Sequence, residues 1–259
     1  MIKYFFVIIL VISSTFFSFA ASNSYTYLKS PIVIEPGQFT FGLLHRFYGD
    51  MHSTKSLGMY DGAKFGLDAT VALTDKRKFA FSFDSQNSEM TFGVSQHLFE
   101  YNHFINAFQV DYYLYDRQNS YSGFMFLYFL QYKNPKYKFT PILNYYYSND
   151  TEISNIAIGI EYEVLDNMTL EYEHVFSNDS LYDDDTYVYG IKFATFGLNF
   201  DLTVQNSRET GLHQVLNGVQ DTGNTYFGIK VGRLFDIANF RSKGQYRQDY
   251  ERFLREAQD

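Results

Sequence analysis

Four glutamates occupy alternate positions on the two sides of a short predicted turn: Glu161, Glu163, Glu171 and Glu173. Side chains at alternate positions share one face of a β-strand, so two paired antiparallel strands would bring the four carboxylates close together. Rings of carboxylates line pores that favour cations. The spacing therefore predicts an acidic, cation-favouring ring segment near one end of these two strands.

Lysines on neighbouring predicted strands offer a second interpretation, in which Lys192, together with Lys64 or Lys230, neutralises the glutamates as a structural network. Charges removed from water must be paired or hydrated, because an unpaired buried ion costs several kcal/mol. Both interpretations require an inner face that carries many charges. The charged residues that alternation places on this face are Arg46, Lys64, Asp68, Lys78, Asp84, Asp111, Glu161, Glu163, Glu171, Glu173, Lys192, Asp201 and Lys230.

Strands that would position these charges follow from the alternation of large apolar residues with small or polar ones. Phe79, Phe81 and Phe83 interleave with Lys78 and Ala80, for example. The segments have about the 9–11 residues that a tilted membrane-spanning strand needs. We predict about twelve strands, at 38–47, 60–73, 77–86, 89–98, 104–115, 121–132, 138–148, 153–163, 167–177, 186–194, 196–205 and 225–235.

A soluble β-sandwich also alternates, so the choice between a sandwich and a barrel depends on further features. Short connections at 74–76, 165–166 and 195 contrast with long polar ones at 48–59, 177–185 and 206–224, as in outer-membrane barrels. Aromatic residues crowd strand ends, as at Tyr145, Tyr146 and Tyr147. We predict an all-β protein, a transmembrane antiparallel up-and-down barrel of about twelve strands with both chain ends in the periplasm. A soluble secreted β-protein is the alternative.

The chain divides into four predicted regions. Residues 1–20 have the basic start, short apolar run and small residues of a secretory signal peptide. Residues 21–37 form an N-terminal periplasmic or plug segment, and residues 38–237 form the barrel. Residues 238–259 form a polar tail with a weak helical stripe, which predicts a short C-terminal periplasmic helix.

Composition excludes several classes of protein. The absence of cysteine excludes disulfide scaffolds, thiolate metal sites and cysteine nucleophiles. A net charge of −8 argues against a nucleic-acid partner. We find no motif for a cofactor or a metal ion. The expected partners are outer-membrane lipid, the barrel-assembly machinery during biogenesis, and small solutes.

The last predicted strand resembles the signal that directs outer-membrane barrels to their assembly machinery, with Lys230, Gly232, Phe235 and Ile237 at the corresponding positions. The chain continues beyond this signal, whereas such barrels commonly end there. The segment 38–86, with His45-Arg46-Phe47, Asp61-Gly62-Ala63, Gly66 and Leu73-Thr74-Asp75, resembles the first hairpin of a porin-like family of uncharacterised bacterial outer-membrane β-barrels. That resemblance implies a fold and a location in the Gram-negative outer membrane, and no activity.

Three functions remain open from the sequence. The leading prediction is a small passive channel for ions or small polar solutes. The second is a non-conducting structural or adhesion barrel that binds through its external loops. The third is a membrane-facing lipase, for which His174 with Ser177, or His45, would be outward-facing candidates, although no Gly-x-Ser-x-Gly motif is present.

Overall fold

The computed structural model describes residues 27–31, 36–52, 57–85, 88–117, 119–178, 184–195, 198–216 and 223–236, without the side chains of residues 60, 115–121 and 236. The signal-peptide and C-terminal-helix predictions lie outside the described residues. So does Ile237 of the assembly signal.

Twelve antiparallel strands form a closed barrel in the described part of the chain. Each strand pairs with its sequence neighbours, and the first pairs with the last, with Gly42 opposite Gly232. The strands are β1 Gln38–Phe47, β2 Ala63–Ala72, β3 Arg77–Asp84, β4 Glu89–Tyr101, β5 Phe104–Arg117, β6 Asn119–Tyr132, β7 Phe139–Ser148, β8 Ser154–Leu165, β9 Met168–Phe176, β10 Thr186–Thr195, β11 Leu198–Gln205 and β12 Tyr226–Asp236.

The predicted all-β barrel is thereby confirmed, and every strand boundary lies within three residues of its predicted position. β2 begins at Ala63 rather than at 60, because a 3-10 turn at Met59–Asp61 and Gly62, with a φ of 92°, precede it. β4 continues to Tyr101 rather than to 98, because a β-bulge between His97 and Phe99 lets the pairing with β5 resume.

The two ends of the barrel differ in their connections. One end, the terminal end, carries the start of β1, the end of β12 and connections of at most six residues, the longest being 133–138. The other, the loop end, carries the long connections 48–62, 177–185 and 206–225. Residues 85–88, 118 and 149–153 also connect strands at the loop end, so short connections are not confined to the terminal end.

The outer face of the barrel is a continuous apolar surface. Phe92, Val94, Ile156, Ile158 and Ile160 are among its exposed side chains. Exposed aromatic residues lie near both ends: Tyr101, Tyr137, Phe139 and Tyr162 at the terminal end, and Tyr145, Tyr147 and Tyr189 towards the loop end.

The interior is filled on one side only. Most inward residues of β5 to β10 are buried, and Leu127, Phe129 and Tyr146, each at most 1% exposed, pack with Tyr27, Leu28, Val215 and Leu216 from outside the sheet. Some inward residues of β1 to β3, such as Thr70 and Ser82, keep partial exposure, whereas Arg46, Lys64 and Asp84 on the same strands are buried. The barrel therefore has a packed side along β5–β10 and a hollow side along β1–β4 and β12.

Helices are few in the described residues. One short helix, α1 (Leu212–Leu216), lies in the connection between β11 and β12 and packs inside the barrel. Among the described residues, no helix has the length and apolar character needed to cross a membrane.

Candidate functional site

Six charged side chains form a belt around part of the interior, which we call the charge belt: Glu161, Glu171, Lys192, Asp201, Lys230 and Asp68. Lys192 lies 2.6 Å from Glu161 and 2.7 Å from Glu171. Asp201 is the cross-strand neighbour of both lysines, Lys192 and Lys230. Lys230 in turn lies 3.0 Å from Asp68. The ion pairs thus run across β8 to β12 and on to β2.

Glycines on adjacent strands make room for these long side chains. The Glu171 side chain lies over Gly190, its neighbour on β10, and a Cβ added there would be 2.5 Å from the Glu171 Cγ and 2.7 Å from its Cδ. Real Cβ atoms do not approach other atoms so closely. Gly190 is therefore required for Glu171 to reach Lys192.

Substituting Gly190 with alanine is expected to destabilise the barrel by about 1–3 kcal/mol, because the added methyl group displaces the Glu171 carboxylate from Lys192. Gly223→Ala is the matched control, since nothing lies within 4 Å of a Cβ built at Gly223. Urea unfolding of both variants in lipid vesicles checks this. Equal midpoints for the two variants would show that Gly190 is not needed for the belt.

The N-terminal strap, residues 27–31, lies inside the barrel. The Glu173 carboxylate accepts hydrogen bonds from the backbone amides of Tyr27 at 2.9 Å and Leu28 at 3.1 Å. Ser30 donates to Gln131 at 3.1 Å, and Asn144 donates to the carbonyl of Lys29 at 3.0 Å. These partners belong to β6, β7 and β9, so the strap follows the packed side.

Arg46 joins the strap to the connection between β11 and β12. Its Nη1 donates to the Tyr27 hydroxyl at 2.6 Å and to the carbonyls of Glu209 at 3.0 Å and Ser207 at 3.3 Å. The Tyr27 hydroxyl donates to the Glu209 carbonyl at 2.6 Å and accepts a hydrogen bond from Gln205. Arg46 is fully buried and lies near the loop end of β1, so this contact set holds the strap to the connection near that end of the barrel.

The same connection, residues 206–216, folds into the barrel, and we call it the lumen loop. Its Glu209 carboxylate lies 2.7 Å from Lys64 on β2. Gln214 donates to Glu89 on β4 at 2.8 Å, and the Leu216 carbonyl accepts from Asn155 on β8 at 2.9 Å. The lumen loop therefore reaches both sides of the barrel near its loop end.

His213 anchors α1 against the wall on the packed side. Its ring stacks on Tyr113 with centroids 4.2 Å apart, and its Nε2 lies 3.8 Å from the carboxylate of Asp150 in the β7–β8 connection. Burial alone would raise the pKa of Asp150, but the nearby His213 ring and hydrogen bonding with Ser148 and Tyr113 outweigh it and hold that pKa well below its usual range. Asp150 therefore stays a carboxylate that can hold the loop.

A cavity of about 220 Å³ occupies the hollow side. Thr40, Thr70 and Lys78 line it towards the terminal end, while Glu89 and Gly211 line it towards the loop end. The further charged residues that line it are Lys29, Asp68, Asp84, Asp111, Lys230 and Arg233. The strap and the lumen loop form its inner wall, so this space is what they leave of the lumen.

The four glutamates predicted to form one acidic ring segment are instead distributed over three environments. Glu161 and Glu171 pair with Lys192, and Glu173 holds the strap. Glu163 lies at the terminal end and is exposed. The Lys192 network of the second interpretation is present, but Lys64 and Lys230 pair with Glu209 and Asp68 rather than with the glutamates.

Other predicted inward residues lie where alternation places them. Arg46, Lys64, Asp84, Asp111 and Asp201 are all buried. Lys78 and Asp68 keep partial exposure in the hollow side. Their role in lining a pore remains a prediction.

Of the assembly signal, Lys230 and Gly232 lie on the inner face of β12. Phe235 stacks on Phe39 of β1 with centroids 4.5 Å apart. Part of this pattern therefore lies at the pairing of β1 with β12 that closes the barrel.

Sequence reasoning did not single out Glu209, Tyr27, Glu89 and Gln205. Gln205 and Glu89 continue the inward alternation of β11 and β4, so that signal was available for them. Tyr27 and Glu209 lie outside any strand, and no periodicity indicates that they enter the barrel.

His174 lies on the outer face of β9 near the loop end, as predicted, but its surroundings do not form a catalytic triad. Its Nδ1 lies 2.9 Å from the Tyr172 hydroxyl and its Nε2 lies 2.8 Å from the Asp185 carboxylate. Ser177 contacts the same carboxylate through its backbone amide at 2.8 Å. Both ring nitrogens of His174 thus already have partners, and neither partner is a serine hydroxyl. Among the described residues, no group of three or more His, Cys, Asp or Glu side chains could hold a metal ion.

Comparisons with known proteins identify the fold. No protein-family model and no curated protein matches the chain. The KdgM porin superposes with a TM-score of 0.52 at 12% identity, covering 76% of this chain and 99% of its own. The NanC porin superposes with a TM-score of 0.52 at 8% identity, covering 75% and 98%.

A third solved structure, the Salmonella typhi outer membrane phospholipase dimer with bound calcium, superposes with a TM-score of 0.48 at 11% identity, covering 82% of this chain and 96% of its own. At such identities the likeness to the two porins shows the fold alone. The predicted resemblance to porin-like outer-membrane barrels is confirmed at that level.

Proposed function

We propose that this protein is a channel of the Gram-negative outer membrane that conducts ions or small polar solutes along the hollow side of its barrel. The observation that carries the proposal is the cavity of about 220 Å³ along β1–β4 and β12, whose lining includes charged side chains such as Asp68, Lys78 and Asp111. Water-filled space lined by inward polar side chains is what a passive outer-membrane channel requires. The fold shared with two porins supports the same proposal.

The outer surface supports the membrane location. Exposed phenylalanine, valine and isoleucine side chains cover the middle of the barrel, and a surface of this kind is stable in contact with hydrocarbon rather than water. Tyrosines towards both ends match the preference of aromatic rings for the headgroup regions. The terminal end then faces the periplasm and the long connections face outward.

The described conformation is restricted at the loop end. The contacts of Glu89 with Gln214 and of Lys64 with Glu209 bring the lumen loop against the hollow side. A solute that enters the cavity from the periplasm would therefore meet the lumen loop before it could leave. We propose that small displacements of this loop control passage, so that conductance is low.

Single-channel recording of the refolded protein in a planar bilayer tests the proposal. Small, discrete current steps are expected, because the strap and the lumen loop leave only the hollow side of the lumen for passage. Addition of boiled, unfolded protein is the control for detergent leakage. Absence of steps from a barrel shown to be folded and inserted would contradict the proposal.

One observation favours the alternative, a non-conducting barrel that binds a partner through its loops. The strap and the lumen loop fill the packed side with buried apolar contacts that include Leu28 and Leu216. If the strap and the lumen loop also fill the hollow side when the barrel is in the membrane, no current would flow even after the loop is displaced. Conductance distinguishes the two functions.

A further inference from the structure

Two carboxylates face each other across β3 and β4 at the loop end of the cavity. Asp84 and Glu89 are direct cross-strand partners, both point inward, and each is 3% exposed. Like charges placed directly opposite each other destabilise a sheet unless something compensates them. Gln214 donates one hydrogen bond to Glu89 at 2.8 Å, which orients that carboxylate without neutralising it.

Asp111 supplies a third carboxylate and an independent observation. It lies over Gly93 on the wall of the same cavity and is 1% exposed. Its Oδ1 accepts a hydrogen bond from Gln109 at 2.6 Å, but its Oδ2 has no hydrogen-bond partner among the described residues. A buried carboxylate oxygen without a donor is costly, so the atom is suited to a donor that enters the cavity.

The described cations near these carboxylates are fewer than the carboxylates, and some of them act on more than one. Lys64 interacts electrostatically with Asp84, but its ammonium lies 2.7 Å from Glu209. Lys29 of the strap is the described cation that acts on Asp111. Arg46 acts on Glu209 and also on Glu173, and His213 acts on Glu89. Even so, Lys64, Lys29 and Arg46 are fewer than the carboxylates on which they act.

From this arrangement we infer that the cavity is a binding site for small organic cations, whose ammonium or guanidinium group is held by Asp111 and by the Asp84 and Glu89 pair. Such groups donate several hydrogen bonds at once to carboxylates. A cavity of about 220 Å³ has room for the organic part of the solute as well as its charged group. The inference names a solute class for the proposed channel and uses the same cavity.

Calorimetric titration of the refolded protein in detergent micelles tests the inference without requiring conduction. The probe is 1,4-diaminobutane, with glucuronate as an anionic solute and calcium chloride as a metal cation. The variants are Asp111→Asn and Glu89→Gln. Glu163→Gln is the matched control, because it removes the same charge from an exposed position outside the cavity.

Saturable binding of the diamine is expected, with no binding of glucuronate. Loss of the Asp111 charge should weaken the affinity for the diamine by about tenfold, which is the effect of one charge-assisted hydrogen bond. Glu89→Gln should weaken it in the same direction, and Glu163→Gln should match the parent protein. Circular dichroism melting of each variant shows that it has the barrel fold.

Three results would overturn the inference: diamine affinity unchanged in both cavity variants, tighter binding of glucuronate than of the diamine, or calcium binding that displaces the diamine completely. A protein that binds the diamine but passes no current would contradict the proposed channel and leave the cation site standing. A protein that passes current but does not bind the diamine would contradict the cation site and leave the proposed channel standing.

Discussion

Replacing the lumen loop, residues 206–216 with the following 217–223, by a short glycine and serine turn is expected to raise single-channel conductance several-fold. The loop contributes the Glu209 contacts with Lys64 and Arg46 and the apolar contacts of Val215 and Leu216. Its removal opens the loop end of the cavity and takes away the partner of the strap. The measurement is the distribution of step sizes in planar bilayers.

Two point variants show whether loosening the lumen loop, without removing it, also changes conductance. Glu209→Gln breaks the ion pair with Lys64 and should give an intermediate conductance or more frequent opening. Arg208→Gln is the control, because Arg208 is the exposed neighbour whose side chain contacts Tyr226 at 2.7 Å. Unchanged step size after replacement of the whole loop would mean that the loop does not restrict the pore.

Changing Lys192 to methionine is expected to destabilise the folded barrel by about 3–5 kcal/mol, because breaking a buried ion pair leaves its partners charged and uncompensated. Here the partners are Glu161 at 2.6 Å, Glu171 at 2.7 Å and the neighbouring Asp201. Urea unfolding in lipid vesicles measures the loss. The large effect follows from one lysine serving two carboxylates.

Two further variants test this explanation. Lys133→Met changes an exposed lysine in the β6–β7 connection and should alter stability by less than about 0.5 kcal/mol. Adding Glu161→Gln and Glu171→Gln to Lys192→Met should recover part of the lost stability, because the uncompensated charges are then gone. A triple variant less stable than Lys192→Met alone would show that the belt stabilises the barrel in some other way.

The barrel could be predicted from sequence because its determinants are local. Alternation of residues such as Ile156, Ile158 and Ile160 with Ala157 and Gly159 reports which face of a strand each side chain occupies. Short turns between consecutive strands then indicate that each strand pairs with its neighbours in the sequence. Small boundary differences arose where a glycine with positive φ or a β-bulge interrupted the pattern, as at Gly62 and His97.

The interior was less predictable because its contacts are not local. Tyr27 reaches Glu173 across 146 residues, and Arg46 reaches Glu209 across 163. Neither the strap nor the lumen loop has a periodicity that would indicate a buried face. Alternation showed that Glu173 points inward, but it could not show that backbone amides of the strap rather than a cation would meet it.

The charge belt was more predictable from sequence than the strap and the lumen loop, and less predictable than the strands. Alternation placed Lys192 and Glu171 on one face, and the pairing of consecutive strands brought them close. Which carboxylate pairs with which lysine depends on register, and register is set by the turns and by glycines such as Gly190 that admit a long side chain. Sequence therefore predicted the members of the network better than its pairs.

The absence of cysteine from the chain allows a direct test of where solute passes. Single cysteines would be introduced by Ser82→Cys on the hollow side and by Ala157→Cys on the packed side, and current would be recorded while a charged, membrane-impermeant thiol reagent is added. Our account predicts that the reagent blocks the current of the Ser82→Cys channel and leaves that of Ala157→Cys unchanged. Equal block of both variants, or block of Ala157→Cys alone, would contradict a path along the hollow side.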